Sequence, residues 1–272
     1  MTRIWHNGQW IDPPGFSIAP TDRGLLHGLG LFETLLAIDG KAVFPDRHLA
    51  RLQGSCQKLG WDLEIPDVTG PISTLGRGRF RIRLTLTGGS GPLDDLSLGA
   101  DHSWMLAASP VAEAPATTSV NVSPFTRNER SPLVGLKCAS YAENLMALDH
   151  ARRLGFGETL FFNNAGHLCE AATSNVFLVK DGVLLTPSLA SGCLPGITRG
   201  VVIGIAARLG IPCMETDLPA ALIHEADEIF LTSSIRGVIG VSRFEQRHLP
   251  NGPLTGQLRL AWNSEVHREC GG

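Results

Sequence analysis

Residues 79–87 alternate strictly between polar and apolar side chains, and this pattern constrains the fold more than any other part of the sequence. Successive side chains of a β-strand point to opposite faces of the sheet, so a period of two residues is typical of a strand with one buried face. The apolar positions are Phe80, Ile82, Leu84 and Leu86, and the polar ones include Arg79, Arg81 and Arg83. The glycine-rich run 88–92 then ends this predicted strand.

Asn-Gly and Asp-Gly pairs mark tight turns between strand-like runs. These dipeptides favour two-residue hairpin turns, in which both turn residues adopt a positive φ. The pairs are Asn7-Gly8, Asp39-Gly40 and Asp181-Gly182. The runs that they join are residues 4–6 with 9–11, 31–38 with 41–44, and 175–179 with 183–185. Further short strands are predicted at residues 104–108, 159–162 and 228–231.

Three segments have the three- and four-residue apolar spacing that is typical of amphipathic helices. They cover residues 45–59, 140–154 and 198–209, and a glycine follows each of them. Residues 110–116, with two prolines and three alanines, have the composition of a linker. We therefore predict a mixed chain of the α/β (α+β) class with two domains, residues 1–115 and residues 116–272.

Composition disfavours several classes of function. The 272 residues are 43% hydrophobic with a net charge of −3, and no block of basic residues indicates a nucleic acid partner. No run approaches the roughly 18–20 apolar residues of a membrane span, and the first residues lack a signal-peptide core. The scattered cysteines and histidines do not have metal-ligand spacing, so no metal is expected. We expect a soluble, cytoplasmic protein with reduced thiols.

Two charged residues of the second predicted domain are candidates for chemistry. Lys137 lies among small and apolar residues just before the predicted helix 140–154. Desolvation lowers the pKa of a lysine amine, and an amine activated in this way can form a Schiff base. Glu170 precedes small polar residues and an apolar strand. A carboxylate that lies beside a pyridine nitrogen can keep that nitrogen protonated. The plainer alternatives are a surface lysine and an exposed turn acid.

A candidate anion site lies where the turn 194–196 runs directly into a helix. The unpaired N–H groups and the positive end of a helix attract anions at such a place. The plainer interpretation is an ordinary helix cap formed by Thr198.

Three further side chains are candidate phosphate ligands. Ser233 and Ser234 follow the predicted strand 228–231, and their hydroxyls either donate to a phosphate or cap the next turn. Arg51 borders the apolar stripe of helix 45–59, where a guanidinium suits bidentate phosphate binding. An arginine that extends its charged end into solvent is the default alternative.

Together and in this order, these residues are similar to those of the fold-type IV pyridoxal 5′-phosphate (PLP) enzymes, the class IV aminotransferase family. The resemblance covers nearly the whole chain. Its motifs are Asp22-Arg23-Gly24, Gly28-Leu29-Gly30-Leu31-Phe32-Glu33-Thr34, His48-x-x-Arg51-Leu52, Leu136-Lys137, Glu170-x-x-x-Ser174-Asn175-Val176-Phe177 and Gly196-Ile197-Thr198-Arg199. It implies a two-domain fold like that of the D-amino-acid aminotransferases. It also implies a homodimer in which a partner loop, here residues 23–30, helps to close each active site.

The resemblance also implies roles for individual residues. Lys137 matches the lysine that holds PLP as a Schiff base and moves the proton at the substrate α carbon. Glu170 matches the acid at the pyridine nitrogen, and Leu194 matches the residue that packs against the ring. The residues matched to the phosphate site are Arg51, Ile197, Thr198 and Ser234, and the further candidates for cofactor binding are Gly196 and Ser233. Tyr141, the only tyrosine, lies near the position of an active-site tyrosine in relatives.

The family divides by reaction. Its aminotransferases move an amino group between an amino acid or amine and a 2-oxo acid, whereas 4-amino-4-deoxychorismate lyase eliminates pyruvate and yields 4-aminobenzoate. The strand 81–89 is similar to that of some D-amino-acid aminotransferases, in which the residue matching Arg83 binds a substrate carboxylate. However, the Arg-x-His pair of the bacillary enzymes is missing after Gly89.

The sequence favours an aminotransferase, with the lyase as the alternative. A PLP-binding protein without turnover is disfavoured because both Lys137 and Glu170 are present. The candidate substrate contacts are Arg83, His27 and Phe32.

Overall fold

The computed structural model describes residues 2–6, 9–250 and 252–271, and the chain forms two compact units. Unit 1 contains Met1–Glu113, Leu136–Tyr141 and Val266–Gly272, and unit 2 contains Ala114–Gly135 and Ala142–Glu265. These units differ from the two continuous domains that we predicted, 1–115 and 116–272. The segment Leu136–Tyr141 belongs to unit 1 because its backbone pairs with residues 30–32 of that unit.

Unit 1 is built on an antiparallel sheet. Its described strands are β1 (Arg3–His6), β2 (Gln9–Ile11), β3 (Gly30–Ile38), β4 (Lys41–Ala42), β5 (Arg79–Thr87) and β6 (Trp104–Pro110). They lie in the order β2-β1-β6-β5-β3-β4. Its described helices are α1 (Arg23–His27), α2 (Pro45–Lys58) and α3 (Thr69–Ser73), with a single 3-10 turn at Pro13–Gly15. Helix α2 confirms the helix predicted from the apolar spacing, and Gly60, with φ of 73°, follows its end.

The alternating segment forms β5, as predicted. Ile82, Leu84 and Leu86 are completely buried, whereas Arg81 is exposed. Burying a side chain of this size contributes roughly 1.5–3 kcal/mol to stability, so the register of β5 is strongly fixed. The strand pairs with β3 on one side and β6 on the other, which holds Arg83 in the centre of the sheet.

The predicted Asp-Gly turns have the backbone conformation that the dipeptide favours. Asp39 and Gly40 have φ of 48° and 78°, and Asp181 and Gly182 have φ of 50° and 77°. Two consecutive positive φ values match the right-handed twist of the strands on either side. The turn at residues 7–8 lies outside the described residues, although the strands that flank it pair as expected.

Unit 2 combines a mixed sheet with the remaining helices. Its described strands are β7 (Thr117–Val122), β8 (Glu158–Phe162), β9 (Leu168–Ala171), β10 (Asn175–Lys180), β11 (Val183–Pro187), β12 (Cys213–Thr216), β13 (Glu228–Ser233), β14 (Gly237–Phe244) and β15 (Arg247–His248). The order is β12-β11-β10-β13-β14-β7-β8-β9, and β15 pairs with β14. The described helices are α4 (Ala142–Arg153), α5 (Ile197–Arg208) and α6 (Ala220–Glu225), and α7 (Pro253–Glu269) begins in this unit.

The chain therefore has the mixed α and β content that the sequence predicted. Helices α4 and α5 confirm the segments with helical spacing to within two residues at each end. Within the described part of the chain, no helix is both long and apolar enough to cross a lipid bilayer.

Candidate active site

The segment that carries Lys137 lies alongside β3 in unit 1. The Phe32 N–H donates to the Lys137 carbonyl at 2.8 Å, and the Ala139 N–H donates to the Gly30 carbonyl at 2.8 Å. The Lys137 Nζ lies 4.4 Å from the centroid of the Phe32 ring and 5.6 Å from that of Tyr141. Both distances are within the range of cation–π attraction. Unit 1 therefore brings together Lys137, Phe32 and Tyr141, three of the predicted site residues.

Arg83 joins this cluster from β5. Its guanidinium carbon lies 3.7 Å from the centroid of the Phe32 ring, and Phe32 meets Tyr141 edge-on with centroids 5.4 Å apart. Burial lowers the pKa of Arg83 from its ordinary value, whereas Tyr141 raises it. The guanidinium keeps its charge because its ordinary pKa is far above neutrality. The predicted carboxylate ligand is therefore a charged group beside the same ring as Lys137.

Glu33 fixes the orientation of Arg51 and His48. The Arg51 Nε and Nη2 donate to the two Glu33 carboxylate oxygens at 2.7 Å and 2.6 Å, and His48 Nδ1 lies 2.7 Å from Oε2. Burial raises the pKa of Glu33, but attraction to Arg51 and hydrogen bonds from both partners lower it to about 2. The carboxylate is therefore ionised and only accepts hydrogen bonds, so His48 Nδ1 carries the hydrogen.

His48 is a neutral donor in this group. Burial lowers the pKa of His48, and Glu33 opposes this shift. A bidentate contact leaves the plane of the Arg51 guanidinium with little rotational freedom. The predicted phosphate ligand Arg51 is thus held in one orientation, and its role at a phosphate stays a prediction.

His27 is the last residue of α1. It is exposed, and the neighbouring Leu25 and Leu26 are 65% and 48% exposed. Helix α1 therefore presents apolar side chains at its surface. The predicted contact of His27 with substrate stays a prediction.

Glu170 and Leu194 are joined directly in unit 2. The Leu194 N–H donates to the Glu170 Oε2 at 2.9 Å, and the Leu194 carbonyl accepts from Asn175 Nδ2 at 2.8 Å. Arg127 approaches the other carboxylate oxygen, with 3.5 Å between Nη2 and Oε1. Glu170 is therefore not the exposed turn acid of the plainer interpretation, because its side chain is only 12% exposed and is held on both oxygens.

Gly196 occupies the cap position of α5, and no side chain caps this helix. The alternative in which Thr198 is an ordinary N-cap is therefore wrong, since Thr198 is the second helical residue and is buried. A Cβ at Gly196 would overlap Asn175 Oδ1, so the close approach of these residues requires glycine. The first N–H groups of a helix have no partner within the helix, and without a side-chain cap they suit an anion such as phosphate.

Ser233 and Ser234 lie where β13 ends. The Ser233 hydroxyl accepts the N–H of Arg236 at 3.3 Å, which is the turn-capping alternative for this residue. Ser234 follows in the same turn, between β13 and β14. Binding of a phosphate by either hydroxyl stays a prediction.

Sequence reasoning missed three residues that organise these groups. Glu33 and Asn175 lie within the family motifs, but the motifs alone did not predict a function for them. Arg127 lies outside the motifs. A signal for Glu33 was available, because an acid inside the apolar run 31–38 needs a buried partner. No comparable pattern distinguishes Arg127, because its contact with Glu170 depends on tertiary structure.

The two units carry the kinds of groups that one class of cofactor requires. Unit 1 carries a lysine amine beside aromatic rings, and unit 2 carries a largely covered carboxylate and an uncapped helix start. This set of groups fits PLP.

Comparison with known proteins gives the family. The family model for amino-transferase class IV matches residues 30–244. The chain therefore belongs to the class IV aminotransferase family and is an enzyme of this kind, as the sequence predicted.

Relatives with three different activities are similar to the chain over nearly its whole length. A Methanocaldococcus jannaschii protein assigned as a branched-chain-amino-acid aminotransferase is 30% identical, covering 98% of this chain and all of the relative. An aminodeoxychorismate lyase of Bacillus subtilis is 25% identical, covering 97% of this chain and 94% of the relative. A D-alanine aminotransferase of Listeria monocytogenes is 26% identical, covering 99% and 98%.

Solved structures show the same fold. A branched-chain aminotransferase from Thermoproteus uzoniensis, determined with norvaline, superposes with a TM-score of 0.86 at 25% identity and covers 98% of this chain and 95% of that chain. A Brucella abortus aminotransferase bound to PLP superposes with a TM-score of 0.86 at 27% identity and covers 98% and 99%. The predicted fold-type IV architecture is thus confirmed, and the cofactor predicted from the sequence is supported.

Proposed function

We propose that this enzyme is a PLP-dependent aminotransferase that moves an amino group between an amino acid or amine and a 2-oxo acid. The observation that carries the proposal is the cluster in unit 1. There the Lys137 amine and the Arg83 guanidinium, two groups with different chemistry, lie against the same Phe32 ring. One is a candidate nucleophile and proton carrier, and the other is a candidate ligand for a substrate carboxylate.

Lys137 has two tasks in this proposal. Its Nζ would hold the cofactor covalently, and once a substrate amino group has displaced it the free amine would take the proton from the substrate α carbon. Bound PLP supplies a ring that accepts the electron pair left at that carbon. In the aminotransferase the same amine would give the proton back on the cofactor side, and water would then release the 2-oxo acid and leave the amino group for the second 2-oxo acid.

Residues of unit 2 supply most of the proposed cofactor contacts. Glu170 would keep the ring nitrogen of bound PLP protonated, and Leu194 would pack against the ring. The uncapped start of α5 supports a phosphate site. The proposed phosphate ligands are the N–H groups of Ile197 and Thr198, the Thr198 hydroxyl, Gly196, Ser233, Ser234 and Arg51.

Arg83 orients the substrate. Its planar guanidinium donates two parallel hydrogen bonds to a carboxylate, which fixes direction as well as charge. Contact with the Phe32 ring holds the guanidinium in place while leaving its N–H edge available for such a contact. Tyr141 and His27 complete the proposed cofactor and substrate contacts.

The lyase is the second candidate, because an aminodeoxychorismate lyase from Bacillus subtilis covers nearly the whole chain at 25% identity. Both reactions begin with removal of the α proton by Lys137, and they differ in whether pyruvate leaves. The identity of the substrate therefore decides between them.

A half-reaction screen tests the proposal. PLP-loaded protein is mixed with L- and D-amino acids and with amines, and loss of the absorption band of the lysine-bound cofactor is followed. Pyruvate release from aminodeoxychorismate is measured alongside. The aminotransferase predicts that an amino donor removes the band and that a 2-oxo acid restores it. Pyruvate release without amino transfer would establish the lyase, and neither reaction would indicate a PLP-binding protein without turnover.

We also propose that the enzyme is a cytoplasmic homodimer. The exposed Leu25 and Leu26 on α1 support a second copy of the chain at this surface, because apolar side chains of this size gain free energy when they are covered. The six cysteines, all within the described residues, form no disulfide, as is usual in a reducing compartment. Light scattering of the wild type and of Leu25→Glu measures the oligomeric state.

A further inference from the structure

Arg127 lies beside Glu170 in unit 2. The Arg127 Nη2 is 3.5 Å from the Glu170 Oε1, and the two side chains are 14% and 12% exposed. Opposite charges attract more strongly when little water surrounds them, because the effective dielectric constant is then lower. This pair therefore affects the Glu170 carboxylate more than a surface ion pair would.

Three contacts hold Arg127 in this position. The Arg127 Nη1 donates to the Glu143 Oε2 at 2.8 Å, and the guanidinium carbon lies 4.4 Å from the centroid of the Phe161 ring. Phe161 is the residue directly opposite Glu170 across the β8–β9 pair. The Arg127 N–H also donates to the Phe162 carbonyl at 2.8 Å, which attaches its backbone to the end of β8. Arg127 is thus fixed by the same strand pair that positions Glu170.

The thiols next to Glu170 do not carry charge. Burial, together with the negative charge of Glu170, raises the pKa of Cys169 well above its usual value and that of Cys193 to about 11. Both thiols are therefore neutral near pH 7. Arg127 supplies a positive charge at the carboxylate that these neighbours do not.

We propose that Arg127 is a positioning residue that holds the Glu170 carboxylate ionised and in a fixed direction, so that Glu170 keeps the ring nitrogen of the cofactor protonated. This inference rests on the proposed role of Glu170. A carboxylate that loses its cationic partner inside a protein takes up a proton more readily. A protonated Glu170 no longer stabilises a positive ring nitrogen, and the ring then accepts electrons less well.

Glu143 has a supporting part in this arrangement. It shares Arg127 with Glu170, and its side chain is 49% exposed, so water screens its charge. Removing the Glu143 charge leaves the Arg127 cation in place. Glu143→Gln is therefore expected to have a smaller effect than loss of Arg127.

The test measures the ring nitrogen directly. PLP labelled with ¹⁵N at the ring nitrogen is bound to the wild type, Glu170→Gln, Arg127→Met, Arg127→Lys and Arg130→Met. The ¹⁵N chemical shift is then compared at one neutral pH. We expect the shift of a protonated nitrogen in the wild type and movement toward the unprotonated value in Glu170→Gln and Arg127→Met. Arg130 is exposed in the same segment, so Arg130→Met is the matched control and is expected to keep the wild-type shift.

The half-reaction rate is a second readout. A decrease of one unit in the pKa of the ring nitrogen lowers its protonated fraction by up to a factor of about ten. Arg127→Met is therefore expected to slow α-proton removal about tenfold, while the apparent KM changes little. If Arg127→Met does not fold, Arg127→Lys replaces it in the test, with a smaller shift in the same direction.

The outcomes separate this inference from the proposed function. If Glu170→Gln leaves the ¹⁵N shift unchanged, the proposed role of Glu170 fails. If Glu170→Gln moves the shift but neither Arg127 variant does, or if Arg130→Met moves it equally, only the role of Arg127 is overturned.

Discussion

Arg83 is the residue at which the structure makes the substrate hypothesis most specific. It shares the sequence alternation with Arg81, but Arg81 is exposed whereas Arg83 packs on the Phe32 ring. Hydrogen bonds to charged groups contribute roughly 1.5–3 kcal/mol, and lysine cannot reproduce a bidentate contact. Arg83→Lys is therefore expected to raise the apparent KM for amino acids roughly 10- to 150-fold.

The controls for Arg83 use the substrate and the neighbouring residue. Activity toward an amine donor that lacks a carboxylate should fall much less in Arg83→Lys, and Arg81→Lys should be nearly silent with both donors. Steady-state kinetics with the two donor classes checks this. An equal loss with the amino acid and with its carboxylate-free analogue would exclude a carboxylate-binding role for Arg83.

At the scale of the secondary-structure element, the start of α5 leaves no room for one added methyl group. Gly196 has ordinary negative φ, but its Cβ would overlap Asn175 Oδ1. Gly196→Ala is expected to displace Asn175 and Leu194 and to lower stability by about 1–3 kcal/mol, as overpacking usually does. It should also weaken PLP binding, because the first N–H groups of the helix move.

Gly200 provides the matched control on the same helix, because nothing lies within 4 Å of its Cβ position. Gly200→Ala should stabilise α5 by roughly 0.8–1.0 kcal/mol, since alanine has the higher helix propensity. Thermal unfolding of the apoprotein and fluorescence titration with PLP measure both effects. Equal unfolding temperatures and equal PLP affinities of Gly196→Ala and Gly200→Ala would show that the Gly196–Asn175 contact is unimportant.

Local sequence signals predicted most of the elements near the site. Strand β5 and the two described Asp-Gly hairpins follow from alternation and turn chemistry, and α2, α4 and α5 follow from apolar spacing. Helix α7 was missed because Gly256 weakens its helical sequence pattern and its start is capped by a distant residue. The Glu228 carboxylate accepts the Leu254 and Thr255 N–H groups at 3.1 Å and 2.8 Å, a contact that no local pattern shows.

The candidate site was predictable as a set of residues but not as a geometry. The family motifs point to Lys137 and Glu170 by their order along the chain. They do not show that the Lys137 backbone pairs with Phe32, about a hundred residues earlier, because that pairing forms only in the folded chain. For the same reason the sequence could not show that Glu33 holds Arg51 or that Arg127 approaches Glu170.

At the scale of the whole molecule, the buried carboxyl of Glu33 makes the free energy of unfolding depend on pH in the acidic range. The folded-state pKa of Glu33 is about 2, compared with an ordinary value of 4.5. A depressed carboxyl pKa contributes stability that is complete above the ordinary pKa and is lost as the pH falls toward the folded value. This difference corresponds to about 3 kcal/mol, so the apoprotein should lose stability of this order between about pH 4.5 and pH 2.

Glu33→Gln isolates this contribution. The variant should be less stable than the wild type at pH 7, and the gap between them should narrow as the pH falls through the same window. Glu64→Gln removes an exposed carboxylate of unit 1 and should change little. Urea unfolding at a series of pH values gives the three curves. A difference in free energy of unfolding between Glu33→Gln and the wild type that stays constant with pH would contradict the lowered pKa of Glu33.

The central claim, that Lys137 is the residue that binds the cofactor covalently, is tested most directly by borohydride reduction of the PLP-loaded protein followed by peptide mass spectrometry. Lys180 is the natural control because it pairs with Glu225, a hydrogen bond that raises the pKa of Lys180 and keeps it protonated. We predict that the reduced cofactor is found on Lys137, that Lys180→Ala retains it and that Lys137→Ala loses it. Label on Lys180, or on no lysine, would contradict the account.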